Sequence, residues 1–230
     1  YLRDIKKLKI SVPEKQIQKQ IVAKLDHILG ELDTKKKQII SLIEQNKERI
    51  DFFEKNWMSY VIDREIEKHP QRNEWELTTI GDEVEFAYGK GLPKPERIEG
   101  DYSVYGSNGI VGTHHEFLID FPSIVIGRKG TVGALHLTKT KFWPTDVSFY
   151  TKIINPKKLD LDFLYYLLSH IKLEKIKQSG PKSGLNRNDA YKISISLPDP
   201  QIQKQIIQNI KNAEEKFQSQ KKQFENIKNN

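Results

Sequence analysis

The chain has 230 residues, a length typical of one or two domains. Its hydrophobic fraction of 37% is low for one compact globule and fits a globular part combined with solvated helices. The net charge of +7 favours an anionic partner such as nucleic acid, although solvated lysine-rich helices are an alternative explanation. Residues 75–197 hold 16 Lys/Arg and 14 Asp/Glu, so bulk charge does not mark this segment as a DNA reader.

The absence of cysteine excludes disulfide bonds and cysteine-based zinc sites, and it is compatible with the cytoplasmic location that we expect. No run approaches the roughly 18 apolar residues of a membrane span, so no membrane partner is predicted. Met58 is the only methionine and the chain begins at Tyr1. We therefore expect it to be a segment of a longer protein.

A repeated heptapeptide marks two equivalent helix starts. QIQKQIV at residues 16–22 returns as QIQKQII at residues 201–207, and each copy follows an apolar run and a proline. A repeat separated by a long unlike insert predicts two helical arms that bracket one globular domain. Residues 1–13 resemble the end of that insert, so they are predicted to be the tail of a preceding domain.

Residues 14–70 are predicted to form one long helix, because apolar residues recur at three- and four-residue steps and no proline interrupts them. Residues 199–230 carry a similar stripe. This spacing is typical of a coiled-coil seam, and an antiparallel pair is predicted; one ordinary packed helix with a kink is the alternative. The predicted pairing residues are Ile21, Leu25, Ile28, Leu32, Ile39, Ile206, Ile210, Phe217 and Phe224.

Residues 71–198 are predicted to form a globular mixed α/β domain, which makes the fold class α+β with two flanking helices. A helix is predicted at residues 161–178, with Asp160 or Asp162 as its N-cap, and a loop at residues 179–189. A strand-like run follows that loop. Further strands are predicted at residues 84–88, 123–127, 133–137 and 148–154.

Glycine-flanked polar loops are the best candidates for function in this domain. They lie at residues 88–94, 105–112, 127–133 and 180–187. Glycine lets backbone N–H groups approach a phosphate, and Arg, Lys, Asn and Ser supply donors for phosphates or base edges. Each loop alone is common in proteins, so a β-rich domain with ordinary turns is the alternative to nucleic-acid contact.

Catalytic signatures are missing from the sequence. The Asn/Asp-Pro-Pro-aromatic tetrapeptide of amino-methyltransferases is absent, as are the GxxxxGK and GxSxG patterns. His114 and His115 are adjacent, and neighbouring side chains on a strand point to opposite faces. No metal site and no enzyme activity are therefore predicted.

Six segments, taken in order and spacing, carry a resemblance to a known family. They are Trp75-Glu76 leading to Ile80-Gly81-Asp82, YGSNGIVG (105–112), IVIGRKGTVG (124–133), WPTDVSFY (143–150), LDFLYYLL (161–168) and SGLNRNDAYKISISLPDPQIQKQI (183–206). They resemble the DNA-sequence specificity subunits of type I restriction–modification enzymes. Members of that family contain two target recognition domains and two conserved helical regions, whereas this chain has one complete recognition domain.

The resemblance implies a non-catalytic subunit that reads one half of a bipartite site on double-stranded DNA. It implies methyltransferase and restriction–translocase partners, and it places S-adenosylmethionine, ATP and magnesium on those partners alone. The helical stripes would carry helix pairing and methyltransferase docking. The implied DNA contacts are Lys90, Lys94, Ser107, Asn108, Arg128, Lys129, Thr131, Lys182, Asn186 and Arg187. Tyr88, Tyr105 and Trp143 either join them or pack in the core.

Other interpretations stay open at this point. The chain is either a cut-down or truncated subunit or a half-subunit that forms a homodimer. In a different class of function, it is a coiled-coil scaffold whose globular domain binds another protein and no DNA. Steep salt dependence of binding would indicate phosphate contacts and separates the two classes. The target bases do not follow from the sequence, because readout depends on loop geometry and DNA shape.

Overall fold

The structure is a computed structural model that describes residues 11–67, 69–176 and 184–229. The chain divides into two compact units. One comprises the residues before Lys55 together with those after Asn226, and the other is Lys55–Asn226. Mixed α+β architecture is confirmed, with a long helix before the sheet domain and a second helix after it. None of the helices in the described ranges has the length and hydrophobicity that a transmembrane segment requires.

The helices and strands of the described ranges follow in chain order. The helices are α1 (Lys15–Ile62), α2 (Ile80–Glu83), α3 (Leu161–Ile171), α4 (Arg187–Tyr191) and α5 (Pro200–Asn229). The strands are β1 (Glu76–Thr79), β2 (Val84–Tyr88), β3 (Tyr102–Gly106), β4 (Gly109–His114), β5 (Ser123–Gly127), β6 (Leu135–Thr138), β7 (Phe142–Pro144), β8 (Ser148–Ile153) and β9 (Ser194–Leu197). A π-helical turn, Asp63–Glu67, follows α1 directly.

Helix α1 runs without interruption past Gly30, as its sequence pattern predicts. The five predicted pairing residues on this helix are between 42% and 57% exposed: Ile21, Leu25, Ile28, Leu32 and Ile39. Most stability of a protein helix comes from packing its apolar face. The exposed stripe is therefore a surface without a described partner, and coiled-coil pairing stays a prediction.

The strands form three sheets. Strand order is β2-β8-β5-β6 in the largest sheet and β4-β3-β7 in the second, while β1 pairs with β9. Strand β5 is buried along its whole length because it lies inside the largest sheet, which explains its unbroken apolar sequence. Antiparallel pairing of β1 with β9 joins the start of the globular domain to its end.

The structure corrects three boundaries in the sequence-based prediction. The helix predicted over residues 14–70 ends as an α-helix at Ile62, and the π-helical turn Asp63–Glu67 follows it. The helix predicted to reach residue 178 ends at Ile171, because Lys172 adopts a left-handed conformation with φ of 57°. Part of the loop predicted at residues 179–189 is the short helix α4. The predicted cap is confirmed, since the Asp160 side chain accepts hydrogen bonds from the N–H groups of Asp162 and Phe163.

The main core lies where both long helices enter the globular domain. Val61 and Ile62 from the end of α1 share one buried cluster with Phe163 and Leu164 of α3 and with Ile206 and Ile210 of α5. Ile206 and Ile210 were predicted to carry helix pairing or partner docking. They are at most 1% exposed inside this core cluster, and that role stays a prediction. Of the other two predicted residues on α5, Phe217 is partly buried, and the side chain of Phe224 lies outside the described part of the chain.

Gln203 ties the start of α5 to the domain through three hydrogen bonds, and it is fully buried. The Asp160 N–H donates to Gln203 Oε1 over 2.8 Å. Gln203 Nε2 donates to the carbonyls of Lys158 and Pro198 over 2.7 and 2.8 Å. The equivalent residue of the first repeat, Gln18, repeats only the last of these bonds, donating to Pro13 over 2.6 Å.

Replacement of Gln203 by alanine is expected to lower the free energy of unfolding by about 2–3 kcal/mol, because one buried and two partly buried backbone groups lose their partner. Gln18→Ala is the matched control, since it removes the same side chain from the other copy of the repeat. We expect it to cost less than about 0.5 kcal/mol. Urea unfolding of both variants measures the difference, and equal effects would contradict the role assigned to Gln203.

Asp162 connects three elements through its carboxylate. Lys139, just after β6, and Lys211 on α5 each place Nζ 2.8 Å from an oxygen of this side chain on α3. Burial raises the pKa of Asp162, but hydrogen bonds and charges from the two lysines outweigh burial and leave the pKa below its ordinary value of 3.8. The folded state therefore stabilises the ionised carboxylate of Asp162 more than the unfolded state does.

Asp162 should therefore contribute stability that is fully present above the unfolded pKa of 3.8. This contribution is lost as the pH falls through the lower pKa of the folded state. Asp162→Asn is expected to reduce stability at pH 7, with the difference from wild type shrinking below pH 3.8. Thermal unfolding across this range measures the effect, with exposed Asp33→Asn as the control. A difference that persisted unchanged in acid would refute this explanation.

Candidate nucleic-acid interface

Segment 144–148, from the last residue of β7 to the first residue of β8, holds the predicted recognition loops together. The N–H of Lys90 donates to the Pro144 carbonyl over 2.9 Å, and the Gly89 N–H donates to the Ser148 carbonyl over 3.2 Å. Arg128 and Lys129 both donate their N–H groups to the Val147 carbonyl, over 2.9 and 3.1 Å. The first and third glycine-flanked loops therefore meet at the same edge of the domain.

The other two loops join the same group. Leu185 donates its N–H to the Arg128 carbonyl over 2.9 Å, which attaches the described end of the fourth loop. The N–H of Thr145 donates to the Tyr105 carbonyl over 2.9 Å, which attaches the turn end of the β3–β4 hairpin. Loops that are up to about 100 residues apart in the chain thus form one surface, which we call the loop surface (residues 88–94, 105–109, 127–131 and 184–188).

Tyr88 on the loop surface contacts two arginines. The guanidinium carbons of Arg128 and Arg187 are 5.3 and 5.0 Å from the centre of its ring. Such cation–π contacts orient the guanidinium groups. They leave the N–H groups of each guanidinium free to donate hydrogen bonds to other partners. Tyr88 is 54% exposed, so its ring is presented to solvent rather than packed in the core.

Backbone carbonyls fix both guanidinium groups further. Arg128 donates from Nε and Nη2 to the Asp146 carbonyl, over 3.1 and 2.5 Å. Arg187 donates from Nη1 to the Phe86 carbonyl over 3.2 Å, and its Nε is buried without a hydrogen-bond partner. Neither group is described in an ion pair with a carboxylate. Each keeps N–H groups that can donate to a phosphate or a base edge.

Helix α4 is attached to the exposed edge of β2, which has a strand neighbour on one side only. Besides the Arg187 bond, the Phe86 N–H donates to the Tyr191 hydroxyl over 2.7 Å. The side chains of α4 thus satisfy backbone groups that would otherwise be open at a sheet edge. A cleft of about 290 Å³ remains, lined by Tyr88, Phe149, Arg128, Lys129 and residues 184–188.

The remaining candidates occupy different positions on the loop surface. Lys90, Lys94, Asn108, Lys129 and Thr131 are exposed, and Ser107 is partly exposed. Asn186 is engaged as the N-cap of α4, where its side chain accepts from the N–H groups of Asn188 and Asp189. The sequence reasoning missed Asn188, an exposed residue that lines the cleft. Lys182 lies outside the described residues.

Two of the aromatic candidates are core residues. Tyr105 and Trp143 are each 8% exposed. Trp143 donates from Nε1 to the Lys90 carbonyl over 2.9 Å, so this core side chain holds the loop of residues 88–94 in place. Only Tyr88 has the exposure that stacking on a nucleotide requires.

Two clusters in the described ranges bring potential metal ligands within 4.8 Å of one another. In the first, His114 is buried and its Nδ1 accepts the Ile98 N–H over 3.1 Å, while His115 is exposed. In the second, His170 lies 2.9 Å from Asp63 and 3.1 Å from Glu67 through its two ring nitrogens. The histidines therefore already face protein groups, and the absence of a metal site stays a prediction.

Solved structures with the same fold come from type I restriction–modification systems. The S subunit from M. genitalium is 20% identical, with a TM-score of 0.58, and the match covers 88% of this chain and 56% of that chain. The HsdS subunit from Thermoanaerobacter tengcongensis is 15% identical, with a TM-score of 0.57, and the match covers 92% of this chain and 54% of that chain. A chain from work on complex assembly and conformational transition of the type I R-M system is 14% identical, with a TM-score of 0.66 and coverages of 94% and 56%.

The protein thus spans just over half the length of these solved chains. A search of curated proteins found no match. The family model for the type I restriction modification DNA specificity domain matches residues 72–229, which is more than half of the sequence. On this evidence, the chain belongs to the family of type I restriction–modification DNA specificity domains.

Proposed function

We propose that the chain is a specificity subunit, or half of one, that reads one half of a bipartite DNA site for a type I restriction–modification complex. The observation that carries this proposal is the cleft beside Tyr88, where Arg128 and Arg187 present oriented donors among the exposed Lys90, Lys94 and Lys129. Arginine, lysine and small polar side chains on glycine-rich loops suit both phosphate contact and base readout. Family membership supplies independent support.

In this proposal the chain itself is not catalytic and needs no cofactor. The methyltransferase subunits would bind S-adenosylmethionine, and the restriction–translocase subunit would use ATP and magnesium. The exposed apolar stripe of α1, which includes Ile21, Leu25 and Ile28, would pair with a second helix or dock the methyltransferase. A chain that corresponds to half of the solved subunits would complete the bipartite reader as a homodimer or together with a second recognition domain.

Binding to duplex DNA should depend steeply on salt, because phosphate contacts release counterions. For six or more such contacts, affinity is expected to fall on the order of 10³-fold between about 50 and 200 mM salt. Filter binding of random duplexes, with and without the cognate methyltransferase subunit, measures the slope and any sequence preference. A salt-insensitive interaction with protein only would favour the scaffold interpretation. An assembled complex without preference among duplexes would refute sequence-specific reading.

Substitution of Arg128 by alanine is expected to weaken duplex binding by about 1–3 kcal/mol, because one oriented donor group is lost. A uniform loss across sequences, with a salt slope smaller by about one, would identify a phosphate contact. A loss confined to one base position would identify base readout. Arg64→Ala is the matched control, since Arg64 is 55% exposed, pairs with Glu65 and lies outside the loop surface. Equal effects of the two substitutions would contradict the assignment.

A further inference from the structure

The side chain of His136 belongs to the largest sheet and lies next to the β3–β4 turn of the second sheet. It lies on β6, the edge strand of the largest sheet, opposite Val125 of β5. Its ring approaches Gly109, the first residue of β4 in the other sheet: a β-carbon on Gly109 would lie 3.3 Å from His136 Cε1. Its ring centre is also 6.3 Å from that of Tyr105, the residue before the end of β3.

The ring of His136 also interacts with the turn itself. The backbone of Ser107, the first residue of the turn, is its polar neighbour, and His136 Nε2 is buried without a hydrogen-bond partner. Burial lowers the pKa of His136, which favours the neutral imidazole at pH 7, although the Ser107 backbone acts in the opposite direction. A neutral ring fits the apolar side of this contact, where Tyr105 packs.

The turn in contact with His136 also rests on the loop that carries Arg128. A β-carbon on Gly130 would lie 3.2 Å from Ser107 Oγ, and one on Gly127 would lie 2.6 Å from the Ser107 carbonyl oxygen. Gly109 has φ of +106°, a conformation that favours glycine. The position of Ser107 and Asn108 is therefore set from two sides: by the Arg128 loop and by His136.

We propose that His136 is a positioning residue for sequence discrimination, holding the Ser107–Asn108 turn in one geometry against the loop of Arg128 and Lys129. This inference rests on the proposed DNA-binding function. Base readout depends on donors held within fractions of an ångström, so a loosened turn should lose discrimination before it loses general affinity. In this proposal His136 acts through its contacts with the turn and not as a DNA contact.

Selection from a library of random duplexes by the assembled complex with its methyltransferase subunit gives the preferred sequence of the wild type. The measured quantity is then the affinity ratio between that duplex and a scrambled one. His136→Leu fills the same space but cannot make a polar contact with the Ser107 backbone. We expect the ratio to fall about tenfold, the size of one lost base contact, while affinity for the scrambled duplex changes less than about twofold.

His136→Gln should retain at least about a third of the wild-type ratio, because its amide can replace the polar contact that leucine cannot make. Gly109→Ala disturbs the turn from the other side, so it should lower the ratio even if His136→Leu does not fold. Thermal unfolding reports the folding of each variant. A folded His136→Leu or Gly109→Ala protein with the wild-type ratio would overturn the proposal, as would glutamine and leucine variants with equal losses. A wild type that selects no sequence would instead refute the proposed function itself.

Discussion

Burial of the start of α5 against the end of α1 and the face of α3 is the contact on which the rest of the domain depends. Ile206 and Ile210 enter the same apolar cluster as Val61 and Ile62, and the removal of such side chains from water is the dominant favourable contribution to folding. Gln203 fixes the register of this packing, because its single rotamer satisfies three backbone groups at once. The end of α1 and the start of α5 are thus parts of the globular core.

The position of the loop surface depends on that core. Pairing of β1 with β9 closes the domain, the largest sheet is held on one face by α3, and segment 144–148 fastens loops from distant parts of the chain to one edge. These backbone hydrogen bonds hold side chains such as Arg128 in one orientation before a ligand binds. Orientation before binding lowers the entropy that recognition must overcome.

The sequence predicted the features that depend on local patterns. Helix α1, strands β2 and β5, and the Asp160 cap each follow from periodicity or capping chemistry within a few residues. It failed where tertiary contacts decide: the helical stripe does not reveal that Ile206 is buried while Ile21 is exposed, although both occupy the same position of the repeat. Strands β3 and β4 and helix α4 were missed, because each is short and carries little periodic signal, although the turn of Ser107 and Asn108 lies in a loop that the sequence predicted. Arg128 and Arg187 were predicted as site residues, but their shared contact with Tyr88 required the fold.

The proposed function requires that DNA binds to the loop surface at one edge of the domain. Hydrogen–deuterium exchange of the assembled complex, with and without a bound duplex, can show this because each backbone segment reports separately. Bound DNA is expected to slow exchange at residues 88–94, 107–109, 127–131 and 184–188. Exchange around residues 152–154, at the other end of β8, is expected to stay unchanged. Protection that spared the loop surface and appeared elsewhere on the recognition domain would show that DNA binds at a different site.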